Sequence, residues 1–278
     1  MKWRLFAMDT HFDRAFGAYT FDARCEMLCE LGYDATYLSL LNEPAWAELP
    51  LLAEARQRHG LEIAGVWFSL DLAGGEDHPG NLRSIQAIET TPGPLRYEVA
   101  LRSSDAALAR SDRAGDSAAT RWIARLLRAA ERAEGSVALY PHVNFWMERI
   151  EDALRLARVL EHPRLGVVFC GFHWYAVDGK DLRARLRDAA PWLRSVNLCG
   201  TRRLPDAKVP ATIEPLDGGT LDHFALLGML REINYSEMIG FQGYGMGGDP
   251  YANLRRSIQA FREMEARLDR HPAWTRRP

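Results

Sequence analysis

Two histidines stand where proton chemistry could be done. His142 follows the apolar run of VALYPHVNFW (137–146), and His173 sits in FCGFHW (169–174). Imidazole changes charge near neutral pH, so either ring can serve as general base or acid. Both are candidate catalytic residues. Other polar and aromatic side chains recur at the same kind of place, just after a short apolar run: Asp9-Thr10-His11, Trp67-Phe68-Ser69, Tyr140, Cys170, Asn197, Cys199 and Gln242-Gly243-Tyr244. Amides can bind hydroxyls or a carbonyl oxygen, and the Tyr140 phenol can donate to that oxygen. Aromatic walls with a few fixed polar groups suit a small polar ligand. Tyr140, Asn197, Gln242, Trp67, His11 and Cys170 are therefore candidate substrate contacts. Plainer readings stand beside these. A histidine at a strand end is often only a structural hydrogen-bond partner, and a buried cysteine is usually inert. Asn197 and Gln242 could tie down loop backbone, Trp67, Trp146 and Trp174 could be core, and Glu214 could be an exposed loop charge.

The elements that would position these residues are short apolar runs alternating with amphipathic stretches. Eight runs read as strands: 4–8, 35–40, 61–68, 95–101, 136–140, 165–169, 195–199 and 238–242. Helical periodicity falls between most of them, as in Leu182, Leu186, Ala189 and Leu193, and in Leu254, Ile258, Phe261 and Leu268. This alternation predicts βαβ units, a parallel sheet and closure into an α/β fold, a single (β/α)8 barrel. Residues 1–278 read as one domain, without internal repeat or low-complexity tract. Active sites of such barrels lie at the C-terminal ends of the strands. Pro141 ends its strand because it has no N–H to donate, so His142 should reach the barrel mouth. Asp22 is placed as the cap of the first helix. Asp152, Asp181 and Asp222 fall in or near first turns, and Gly32 and Gly135 stand after helices, where a left-handed residue is wanted. Residues 70–94, rich in Gly and Pro, read as a long loop followed by the third helix.

Composition narrows the function classes. The 278 residues carry a net charge of −2, with 26% charged side chains. Lys2, Lys180 and Lys208 are the only lysines, and the arginines are interleaved with acids, as in ARLLRAAERAEG. That is a solvated helix face rather than a nucleic-acid stripe. The four cysteines form neither a disulfide framework nor a CxxC pair. Cys25 and Cys29, four apart, read as helix-face packing. No run approaches the roughly 18 apolar residues of a membrane span, and MKWRLFAMDTHF has no signal-peptide core. The reading is a cytoplasmic protein with no nucleic-acid or membrane partner.

The order of several segments resembles the xylose isomerase-like TIM-barrel superfamily, the sugar phosphate isomerases/epimerases. FDARCEMLCELGYDATYLSL resembles that family's first helix and second strand, and HGLEIAGVWFSL its third strand. ALYPHVNFWMERIEDALRLARVLEHPRLGVVFCGFHW resembles strands five and six, and IEPLDGGTLDHFALLGMLREINYSEMIGFQGYG the approach to strand eight. The resemblance implies a divalent metal held by Glu, Asp, His and Glu on strands five to eight. In this sequence those positions resemble Tyr140, Cys170, Asn197 and Gln242, with the family's later histidine kept as His173. Mg²⁺ and Mn²⁺ favour carboxylate oxygen, so no tight site for them and no cofactor are expected here. Cys170, Cys199, His142 and His173 form one rival set, suited to Zn²⁺.

The resemblance further implies a sugar or polyol as the partner, proton abstraction beside a carbonyl, and isomerisation, epimerisation or elimination as the outcome. A possible homodimer is also implied. The alternative is a catalytically silent sugar-binding relative that works with a partner enzyme. Nuclease action, known for this fold, lacks its carboxylate- and histidine-rich metal cluster here. Arg202 and Arg203, after strand seven, could grip a phosphate.

Overall fold

The computed structural model describes residues 2–204, 207 and 210–275. Eight strands close into a barrel in chain order: β1 (Leu5–Ala7), β2 (Ala35–Ser39), β3 (Glu62–Asp71), β4 (Arg96–Arg102), β5 (Ser136–Leu139), β6 (Leu165–Cys170), β7 (Leu193–Leu198) and β8 (Ile239–Phe241). Every neighbouring pair is parallel, and β1 closes on β8 with Phe6 opposite Gly240. The described helices are α1 (Phe21–Leu31), α2 (Glu43–Ala47), α3 (Leu52–His59), α4 (Pro79–Thr90), α5 (Asp116–Arg132), α6 (Ile150–Leu160), α7 (Gly171–Val177), α8 (Leu182–Ala189), α9 (His223–Glu232) and α10 (Pro250–Arg270). Among the described residues, no helix is long and apolar enough to cross a membrane.

The strands read as continuous apolar runs because helices cover one face and the barrel interior covers the other. Alternation within each run sorts the side chains into two cores. Val137 and Leu139, Val167 and Phe169, and Val196 and Leu198 pack outward against the helices. Phe6, Tyr37, Ala138, Tyr140, Val168 and Cys170 fill the interior. Phe6 and Tyr37 stack there, with centroids 5.4 Å apart. Gly240 makes room for this layer: a Cβ on it would lie 2.2 Å from the Phe6 ring and 2.7 Å from Asn197 Oδ1. Gly240→Ala is expected to cost about 1–3 kcal/mol through overpacking, read as a lower urea midpoint with unchanged slope.

Local details depart from the sequence reading at several points. The cap of α1 is Thr20, whose hydroxyl accepts from the Ala23 N–H, while Asp22 bonds Arg58 and His59. The left-handed residue after α5 is Glu134, not Gly135. Gly135 is required for close approach, since a Cβ would meet the Leu95 carbonyl at 2.6 Å. Leu193 opens β7 instead of closing a helix. Cys25 is buried but Cys29 is exposed. The loop after β3 is shorter than expected because β3 runs to Asp71. Asn81 of α4 clamps that residue, accepting from its N–H and donating to its carbonyl. Gly32 does take the left-handed conformation, and Asp222 caps α9.

Candidate functional site

A cavity of about 550 Å³ opens at the C-terminal ends of the strands. Its wall includes Trp67, Tyr140, His142, His173 and Gln242, five of the eight residues singled out by sequence. β5 ends at Leu139, and Tyr140-Pro141 carries the chain into a turn in which the Phe145 N–H bonds the His142 carbonyl. Asn144 holds that turn with φ 68°, a conformation asparagine tolerates better than most residues. β6 passes directly into α7, so His173 stands on the first turn of a helix. The two imidazoles lie against each other with centroids 4.0 Å apart and planes tilted by 40°, and the Phe145 ring packs on His142 at 4.1 Å. The Tyr140 ring meets His173 edge-on at 5.5 Å and Trp67 at 6.3 Å.

One backbone unit orients both rings. The Val143 N–H donates to His173 Nδ1 at 3.2 Å, and the Val143 carbonyl stands 2.8 Å from His142 Nδ1. A carbonyl can only accept, so His142 Nδ1 carries its proton and Nε2 is left as a lone pair. His173 Nδ1 accepts, so its proton resides on Nε2. The hydrogen bonds thus assign opposite tautomers to the pair. Burial pulls the His142 pKa down to about 4, opposed by its bond to the Val143 carbonyl. Burial also pushes His173 well below its ordinary range, and neighbouring His142 pushes it further. Both rings are neutral at pH 7.

The remaining candidates lie outside the cavity wall. His11 is buried beneath Gly243, where a Cβ would approach its Nδ1 at 2.4 Å. Asn197 sits deeper in the barrel, its amide 3.4 Å from Glu98 Oε2. Cys170 is buried against the Tyr140 hydroxyl. Neither Arg202 nor Arg203 lines the cavity: Arg202 faces Glu214 at 3.6 Å, and Arg203 covers the Tyr175 ring and bonds the Asp178 carbonyl.

Several residues of the site escaped the sequence reading. Val143 acts through its backbone, which carries no sequence signal. Ser39 lines the cavity and gives both its N–H and its hydroxyl to the Asp9 carboxylate, at 2.8 and 2.6 Å. Burial lifts the Asp9 pKa to about 7 against those bonds. Glu98, fully buried inside the barrel, accepts from the Tyr37 hydroxyl at 2.7 Å and from Arg96 Nε at 3.2 Å.

The donor set at the positions the resemblance gives to a metal does not fit a hard dication. Tyr140, Cys170, Asn197 and Gln242 supply a phenol, a thiol and two amides, with no carboxylate. Burial raises the Cys170 thiol to about 11 and lifts Cys199 as well, so thiolate ligands are disfavoured. Among the described residues, no three His, Cys, Asp or Glu side chains converge as a metal-binding group. The Zn²⁺ set of Cys170, Cys199, His142 and His173 is therefore not assembled.

The buried imidazoles make stability depend on pH. Burial lowers His11, His142 and His223 to about 4 and His173 further, against an ordinary value of 6.5. Between about pH 6.5 and 4 the unfolded chain binds protons that the folded chain refuses, so stability falls as pH falls. Asp9 and Asp13 act oppositely: burial raises both, so each takes a proton in the folded state first. Four histidines outweigh two aspartates, and the urea midpoint is expected to be lower at pH 5 than at pH 7. Equal midpoints would contradict the neutral buried pair.

The profile of a family described as xylose isomerase-like TIM barrel matches residues 26–264. The chain superimposes on a solved structure of IolI protein, described with a bound zinc atom. The TM-score is 0.73 at 14% identity, covering 95% of this chain and 98% of that one. It also superimposes on 3-keto-D-glucoside 4-epimerase from E. coli, with TM-score 0.71 at 16% identity, covering 94% and 100%. L-ribulose 3-epimerase gives 0.72 at 15% identity, covering the whole of both chains. No curated protein matches the sequence. The structural likenesses establish the fold, and the profile spans most of the sequence. By both its barrel and its sequence, this chain belongs to the xylose isomerase-like TIM-barrel family.

Proposed function

We propose that this protein is an enzyme that moves a proton beside the carbonyl of a sugar or polyol-derived ligand, using His142 and His173 without the divalent metal expected at this place. The opposite tautomers set by Val143 carry this reading. The pair presents one lone pair and one N–H, which is what abstraction next to a carbonyl requires. His142 Nε2 takes the proton from the carbon as the C–H bond breaks. The electron pair forms the C=C bond, the carbonyl π pair moves to oxygen, and His173 Nε2–H donates to that oxygen. A neutral imidazole is an effective donor to a developing enolate. Return of the proton to the other face gives epimerisation, and return to the neighbouring carbon gives isomerisation. Loss of a group from the next carbon gives elimination. Gln242, Ser39 and the Tyr140 hydroxyl serve as hydroxyl and carbonyl contacts, with Trp67 as a wall. Two structural neighbours are named as sugar epimerases, a reaction class that this proton transfer serves.

A second reading draws on the low basicity of His142: a sugar-binding protein without turnover that works with a partner enzyme. Incubation with a panel of ketoses and keto-glycosides in D₂O separates the two. The enzyme reading expects deuterium at the carbon beside the carbonyl, seen by proton NMR. Saturable binding with no exchange in any ligand would leave the second reading standing.

A further inference from the structure

The cavity wall has a charge pattern of its own. Seventeen described residues line it, and none is Arg, Lys, Asp or Glu. Its titratable groups are the two imidazoles and the phenols of Tyr140 and Tyr244. A phosphate or carboxylate drawn into this space would lose water and meet no counter-charge among the described residues of the wall, which is strongly unfavourable. The arginines after β7 are engaged elsewhere, with Glu214, Tyr175 and the Asp178 carbonyl.

The wall is also graded. Tyr140, His173, Gln242 and Trp67 are buried at its inner part. Leu41 and Tyr244, on the segments after β2 and β8, stand at the rim with 42% and 50% of their surface exposed. Phe145 and Ile213, both half-buried, add to the same apolar wall. A sugar ring contacting the inner polar groups is small against about 550 Å³ and leaves this apolar rim wet. Open apolar side chains at a cavity mouth are a contact surface for a ligand group.

Resting on the sugar reading above, we propose that the ligand is an uncharged glycoside whose apolar aglycone packs against Leu41, Phe145, Ile213 and Tyr244, and that sugar phosphates and sugar acids are excluded. The inner groups recognise the sugar and the rim recognises what it carries.

Titration calorimetry on the full chain tests this. The probes are the methyl and phenyl 3-keto-glucosides, which carry the carbonyl the sugar reading requires, with the 6-phosphate and the uronate of the methyl 3-keto-glucoside. Burial of the phenyl ring is expected to tighten binding about tenfold or more over the methyl glycoside. The phosphate and the uronate are expected to bind at least about tenfold more weakly than the neutral methyl glycoside. In Leu41→Ser and Tyr244→Ser the phenyl-to-methyl ratio should fall toward one. Equal affinity for phenyl and methyl glycosides, or binding of the charged sugars as tight as the neutral ones, overturns this inference and leaves the sugar reading intact. No binding by any sugar, with no deuterium exchange, overturns both.

Discussion

His142→Gln is expected to slow deuterium exchange into the ligand by about 10²–10⁴-fold, the usual weight of a positioned general base. Glutamine matches the imidazole in reach and can still bond the Val143 carbonyl, so the turn at 140–147 should persist. What it lacks is a basic nitrogen. The test is therefore a split: exchange collapses while the calorimetric affinity stays within a few-fold. His173→Gln should also lower the rate, because the amide N–H is a weaker acid toward the developing oxyanion. The double variant should cost little more than the worse single one, since two residues that act in one step are not additive. The pH profile adds a readout that a structural role would not move. With the His142 pKa near 4, the base stays ready well below neutrality, and the acid limb of the rate should fall near pH 4 instead of 6.5. A limb at 6.5, or full exchange in His142→Gln, would remove His142 from the mechanism.

The barrel was legible because each strand is buried on two faces. A run such as LGVVF needs no partner to announce itself, and all eight runs became strands. The rim was legible because strand ends follow from strands, which brought Trp67, Tyr140, His142, His173 and Gln242 to one cavity. Depth was not legible. Asn197 shares the interior with those residues but lies a layer lower, and His11 turns under Gly243. Sequence spacing says which way a strand residue points, not whether a neighbour caps it. Proton positions were hidden too, because Val143 sets them through its backbone. Glu98 did leave a signal. A carboxylate inside the apolar run LRYEVAL, with Arg96 two residues earlier on the same face, marks an inward-facing polar pair.

That pair governs the second large effect, expected in stability. Glu98 is fully buried and gathers Tyr37, Arg96 and Asn197 around one carboxylate inside the barrel. Glu98→Ala should cost about 3–5 kcal/mol, because it leaves a guanidinium, a phenol and an amide without their acceptor. The Arg96 side chain keeps 16% of its surface in solvent, and water can reclaim part of its charge, which favours the lower end of that range. Glu98→Gln should cost less, since it retains an acceptor for Tyr37 and loses only the charge. Replacing both partners, as in Arg96→Met with Glu98→Leu, should recover most of the loss, because removing a buried pair together leaves no orphaned charge. Urea unfolding of the three variants separates the causes. A loss in Glu98→Ala that the double variant does not recover would point to the Tyr37 hydroxyl and the Asn197 amide, which that variant still leaves without their acceptor. A loss below about 1 kcal/mol in Glu98→Ala would mean that the network contributes little. The ion pair would then be a passive filler of the barrel, and Asn197 would hold its place by packing alone.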